Sequence, residues 1–145
     1  QEVGVTVALG TDGAASNNRL DMFGEMRPAA LLAKAVAKDG AAVDAHTALG
    51  MATPDGARAL DWEDQIGSLV PGKQADLIAV DLSSAIDAPV YDVASHLVYV
   101  AGRADVSDVW IAGRAVVVDR RCVNVADGEV RSLATQWRDR IRASG

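Results

Sequence analysis

Apolar positions recur at two different spacings along the chain, and the change between them divides it. Residues 3–9, Val3-Gly4-Val5-Thr6-Val7-Ala8-Leu9, form an uninterrupted run of small and β-branched residues ending at Gly10. Such a run, apolar on both faces, predicts a short buried strand of the parallel kind. The next residues, Gly10-Thr11-Asp12-Gly13-Ala14-Ala15-Ser16-Asn17-Asn18, are small or bond readily to their own backbone, which predicts a loop. Over residues 22–37 the apolar positions Met22, Phe23, Met26, Ala30, Leu31 and Ala35 fall at helical spacing. Asp21 stands at the N-cap and Glu25 lies in the early turns. Pro28 inside this pattern predicts a kink or a split, and Asp39-Gly40 an end. A second helix is expected from Asp44 to Ala52. A third follows Thr53-Pro54, with a threonine cap and proline in the first turn.

From Trp62 onward short strands replace the helical spacing. Residues 75–81 read as a strand after the Pro71-Gly72 turn, and residues 92–100 as a helix. Residues 106–118 read as two strands turned at Ala112-Gly113-Arg114. A closing helix over 127–141 places Val130, Leu133, Ala134, Trp137 and Ile141 on one face. The strand at 3–9 meets no pairing partner before residue 75. A buried parallel strand needs neighbours and covering helices, so the pattern leads us to expect that the chain is the C-terminal part of a longer protein.

Composition narrows the partners. Twenty acidic residues against 14 basic ones give a net charge of −6. No basic cluster is present to displace the counterions of nucleic acid or to meet an anionic membrane. Half the residues are hydrophobic and 23% are charged, as in an ordinary folded domain. No apolar stretch reaches the roughly 18 residues of a membrane span. One cysteine, Cys122, forms no internal disulfide, and a cytoplasmic location is expected. We read Cys122 as structural and Trp62, Trp110 and Trp137 as packing anchors.

Candidate chemistry gathers after the first apolar run. Asp12 follows the C-terminal end of a strand pattern, where α/β sheets and barrels carry their reactive groups. A carboxylate there suits metal ligation and proton transfer, although position alone leaves Asp12-Gly13 open to reading as a plain turn. Ser16, Asn17 and Asn18 suit either substrate orientation or capping of the next helix. His46 and His96 lack partners at metal-ligand spacing and read as packed or surface histidines. Phosphate-binding and dinucleotide fingerprints and the nucleophile elbow are absent from the sequence.

The loop at 10–18, followed by Leu20-Asp21-Met22-Phe23 and Glu25-Met26-Arg27, resembles the eighth barrel strand and following helix of the amidohydrolase superfamily. Within it, the loop is similar to that of the 5-methylthioadenosine/S-adenosylhomocysteine deaminases of the chlorohydrolase-like branch. Met51-Ala52-Thr53, Gly56-Ala57-Arg58-Ala59-Leu60, Ile66-Gly67-Ser68-Leu69, Pro71-Gly72-Lys73 and Ala75-Asp76-Leu77 extend the resemblance. So do Tyr91-Asp92, Ser95-His96-Leu97-Val98-Tyr99, Val109-Trp110 and Gly113-Arg114. It implies an α/β fold: the C-terminal part of a metal-dependent (β/α)8 barrel plus the C-terminal share of a small β-sandwich. Residues 1–60 would be the last strand and helices of the barrel, 61–126 the sandwich portion and 127–145 a C-terminal helix.

The implied activity is hydrolytic deamination of adenosine analogues, with Asp12 as metal ligand and general base for the attacking water. Asp12, Ser16, Asn17 and Asn18 would lie beside the nucleoside substrate. The implied cofactor is a divalent metal, zinc first. The family's H-x-H motif, its two further metal histidines and its catalytic Glu are not in this chain, so its partner is the missing N-terminal barrel portion. A homo-oligomer is also expected. A guanine, oxopurine or triazine aminohydrolase remains open, as does a non-catalytic truncated module.

Overall fold

The computed structural model describes residues 4–144. Helix α1 (Met22–Ala37) begins where the sequence places it. The Asp21 carboxylate accepts a hydrogen bond from Gly24 N at 3.2 Å, satisfying one of the donors that a helix start leaves free. Pro28 does not split the helix, which runs on to a left-handed Lys38. Helix α2 (Ala45–Ala52) is capped by Asp44, which accepts from Thr47 N at 2.8 Å. Helix α3 (Pro54–Ala59) opens on proline, but Thr53 does not cap it. The Thr53 hydroxyl turns back and donates to Leu49 O at 2.6 Å. Helix α4 (Val93–Tyr99) is capped by Asp92, which accepts from Ser95 N at 2.7 Å.

A four-stranded antiparallel sheet has the order β1 (Leu77–Val80), β2 (Val106–Ile111), β3 (Arg114–Val118) and β4 (Arg121–Cys122). Thus the strands expected at 75–81 and 106–118 share a sheet. Leu77 stands opposite Trp110 and Ile78 opposite Val109, with the register shifting between Ala79 and Val80. The β2–β3 turn sets Ala112 and Gly113 at φ 48° and 74°, the left-handed pair that two-residue hairpins favour. The Asp76 carboxylate accepts from Ala112 N at 2.6 Å and ties that turn to the strand next door.

The core lies among the helices. Phe23, Met26 and Ala30 of α1 meet Ala45 and Ala48 of α2, Ala94 and Val98 of α4, and Ala101. Alanine at the facing positions lets the helices approach closely, since interaxial distance follows side-chain size. Arg27 locks this arrangement: its guanidinium donates to the carbonyls of Val98, Val100 and Ala101 at 3.4, 3.0 and 2.9 Å. A cation there also complements the helix C-terminus. Lys34 performs a similar task, donating to Ala42 O and Val43 O.

Two further expectations, for the tryptophans and for Cys122, require correction, and the strand expected at 3–9 finds no pairing partner among the described residues. Residues 4–9 join no strand ladder, and Val3 lies outside the described residues. The segment is exposed through Val7, with Gly4 at φ 70°, and is anchored by a Leu9 N to Met51 O hydrogen bond of 3.0 Å. Its backbone groups need adjacent strands that the described residues do not offer, because β1–β4 pair among themselves. Trp62 and Trp137 are not packing anchors, being 55% and 59% exposed; the Arg140 guanidinium lies over the Trp137 ring instead. Cys122 is exposed on β4 and so is not a buried structural thiol. Helix α5 (Asp127–Ala143) forms as expected, and its apolar stripe is exposed among the described residues, with Ile141 67% exposed.

Candidate active-site loop

The loop at 10–20 is built by local hydrogen bonds around two glycines. Gly13 O accepts from both Ser16 N and Asn17 N, at 3.0 and 2.9 Å, closing a tight turn. Asp12 precedes it in a left-handed conformation, φ 58°, with Oδ1 accepting from Gly13 N at 2.7 Å. Short polar residues tolerate this region because the side chain can bond to the nearby backbone. The Asp12 side chain is exposed. Among the described residues its second oxygen, Oδ2, accepts no hydrogen bond.

The four site residues expected from the sequence lie on this one loop, in two environments. Asp12, Ser16 and Asn18 are exposed, and Asn17 is half-buried. The Asn17 side chain is spent within the loop and on α1: Oδ1 accepts from Arg19 N at 3.1 Å, and Nδ2 donates to Glu25 Oε1 at 2.6 Å. None of Ser16, Asn17 and Asn18 caps α1, because Asp21 does. Asp21 is 7% exposed and sits 3.9 Å from the Arg19 guanidinium. Arg103 donates to Arg19 O at 3.1 Å, which ties the loop's end to the segment after α4.

Metal-ligating capacity in the described residues is limited to single groups. No set of three His, Cys, Asp or Glu side chains converges among them. His46 stands exposed at the start of α2. His96 on α4 lies 3.4 Å from Asp87, both side chains nearly buried. Asp12 could offer a metal one carboxylate oxygen, and among the described residues no second ligand converges with it.

Sequence reasoning overlooked several of these supports. Glu25 was legible only as an early-turn acid, and nothing in its spacing announced a bond to Asn17. The Asp87–His96 pair joins a loop to a helix across nine positions without a motif. Outside the loop, the carboxylates of Asp44, Asp81 and Asp92 are held below the ordinary value of 3.8. For Asp44 the main cause is the Thr47 backbone hydrogen bond, and for Asp92 it is the Ser95 side chain. For Asp81 the hydrogen bond from the Ser83 hydroxyl leads, followed by that from Arg120 at 2.9 Å.

Comparison with known proteins gives the loop its context. The profile of the Amidohydrolase family matches residues 1–116. A 5-methylthioadenosine/S-adenosylhomocysteine deaminase of Teredinibacter turnerae is 52% identical over 97% of this chain and 32% of its own length. A protein of the same name from Saccharophagus degradans is 41% identical over 99% of this chain and 32% of its own. A zinc-bound adenosine deaminase from Xanthomonas campestris superposes with a TM-score of 0.94 at 54% identity, covering 99% of this chain and 33% of that one. A triazine hydrolase variant follows with a TM-score of 0.85 at 28% identity, over 93% and 30%. The chain spans about a third of the length of the curated relatives it matches. Its family profile, its relatives' identity along nearly its whole length and its superposition on the zinc-bound adenosine deaminase agree: this chain belongs to the amidohydrolase family.

Proposed function

We propose that this chain supplies the last metal-ligand carboxylate and the substrate-facing loop of a hydrolytic deaminase acting on adenosine analogues, 5′-methylthioadenosine and S-adenosylhomocysteine foremost. The observation that carries the reading is 52% identity, over 97% of the chain, to a relative named for that activity. The exposed Asp12 carboxylate, one oxygen of which accepts no hydrogen bond among the described residues, is the chemical feature that supports it. In this reading residues 1–60 complete a (β/α)8 barrel and residues 61–126 form part of a β-sandwich. The C-terminal helix, 127–145, follows. The remaining barrel comes from chain beyond these residues, and the assembled enzyme is a cytoplasmic homo-oligomer.

A divalent cation, zinc in this reading, supplies Lewis-acid chemistry and makes a water molecule acidic near neutrality. Asp12 offers that ion one oxygen. Its carboxylate also accepts the proton of the attacking water as general base. The water oxygen adds to C6 of the adenine ring, and ammonia leaves with a proton from an acid outside this chain. Ser16, Asn17 and Asn18 shape the loop beside the purine, Asn17 by holding its backbone and the other two from its exposed rim. Water exclusion falls to the barrel portion beyond this chain.

The test is ammonia release by the complete, zinc-loaded polypeptide against a substrate panel. The panel contains 5′-methylthioadenosine, S-adenosylhomocysteine, adenosine, guanine and an amino-triazine. The reading expects the first two to give the highest kcat/KM. Preference for guanine or the triazine, to whose hydrolases the structural likeness also extends, would replace the substrate. No turnover of any would leave the chain a non-catalytic module.

A further inference from the structure

We infer that Glu25 is a positioning residue for Asp12, acting through the side chain of Asn17. The inference rests on the proposed role of Asp12. The loop at 10–20 is mostly exposed, and two of its non-glycine residues, Asp12 and Leu20, hold positive φ angles of 58° and 47°. Such conformations persist only where surrounding contacts over-determine them. The bonds around Asp12 and Gly13 span at most four residues. They shape the turn without fixing its direction relative to the rest of the molecule.

The Asn17–Glu25 hydrogen bond supplies that direction for the turn itself, between two outer tethers, Leu9 N to Met51 O before the loop and Arg103 to Arg19 O at its end. Glu25 belongs to α1, and its own N–H donates to Asp21 O at 3.1 Å, so its backbone is fixed by the helix. Its Oε1 accepts from Asn17 Nδ2 at 2.6 Å. Asn17 in turn has its amide oriented by the Arg19 N–H on Oδ1 and its backbone N–H bonded to Gly13 O. One residue thereby links the turn that follows Asp12 to a charged acceptor on a packed helix. A charge-assisted bond is about twice as strong as a neutral one. The neighbouring acid, Asp21, serves a different purpose, capping α1. Glu25 touches neither metal nor substrate in this arrangement; it fixes where Asp12 points.

The experiment uses the complete polypeptide with Glu25→Ala, Glu25→Gln, Asn17→Ala and the Asn17→Ala/Glu25→Ala double variant. Two readouts are taken: amide hydrogen exchange in the metal-free protein, and kcat and KM after zinc loading. Glu25→Ala is expected to speed exchange at the Ser16, Asn17 and Arg19 amides about tenfold, the loss of one hydrogen bond to a charged group. The amides of α2 should not change. We expect kcat to fall about tenfold with KM little altered, because a misdirected base weakens the transition state more than ground-state binding. Glu25→Gln, which keeps an acceptor, should restore both readouts to within about threefold. In the Asn17→Ala background Glu25→Ala should add almost nothing. Unchanged exchange at the three loop amides, equal loosening of α2, or full additivity of the two substitutions would overturn the inference. If the parent enzyme turns over no purine, the proposed function falls, while the exchange readout still decides whether Glu25 holds the loop.

Discussion

Removing the Arg27 guanidinium should detach the end of α4 (Val93–Tyr99) from α1 (Met22–Ala37). Of the three carbonyls it serves, that of Val100 belongs to an exposed residue and can turn to water, whereas Ala101 is fully buried. A desolvated carbonyl left without a donor costs about 1–3 kcal/mol. The lost cation at a helix C-terminus costs a further ~0.3–1 kcal/mol. Arg27→Met keeps much of the alkyl packing and removes both contributions, so local opening of α4 should become easier by about 1.3–4 kcal/mol. Arg27→Lys keeps the charge but cannot span three carbonyls, and should recover about half. Native-state hydrogen exchange on the complete polypeptide measures this at the amides of Val100 and Ala101, which donate to His96 O. Each 1.4 kcal/mol is tenfold, so Arg27→Met should speed exchange there by roughly tenfold or more. Acceleration below about twofold at these amides would refute the clamp and move the holding of α4 to its apolar face alone.

Two further outcomes follow from the geometry. Gly67 has φ +87°, and a Cβ there would lie 2.6 Å from Ala57 Cβ and 3.1 Å from Pro54 Cα; Gly67→Ala should therefore lower stability by about 2 kcal/mol or more, read as a fall in melting temperature. The carboxylates of Asp44, Asp81 and Asp92 are depressed in the folded state, so their stabilisation is present above the ordinary value of 3.8 and disappears as pH falls through their folded values. Carbon-detected titration should place all three midpoints below 3.8, Asp81 lowest, and Arg120→Met should raise the Asp81 midpoint.

What the sequence made legible was local chemistry. Asp21, Asp44 and Asp92 announce helix starts because capping is settled within three residues, and each accepts the expected backbone N–H. Ala112-Gly113 announces a hairpin because left-handed backbone is needed there. Residues 4–9 stay unpaired among the described residues, because an apolar run describes a strand's surroundings and does not supply its pairing partners. Trp62 and Trp137 misled for the same reason: size predicts burial only where a surface exists to receive the ring. Thr53 had two available acceptors for its hydroxyl, and the preceding helix won. At the candidate site, the loop and Asp12 could be read directly, whereas its tether to Glu25 could not. That bond depends on how the loop folds back over the head of α1, which no spacing rule describes.

The central claim concerns Asp12, and Asp12→Asn in the complete polypeptide tests it most directly. The substitution preserves size and removes the charge and nearly all the basicity. Zinc content and deaminase turnover should be measured on the same preparation, together with the melting temperature. A ligand and general base predicts that turnover falls by about a hundredfold or more. The melting temperature of the metal-free protein should change little, because the side chain is exposed on its loop. Turnover near that of the parent enzyme with unchanged zinc content would contradict the account.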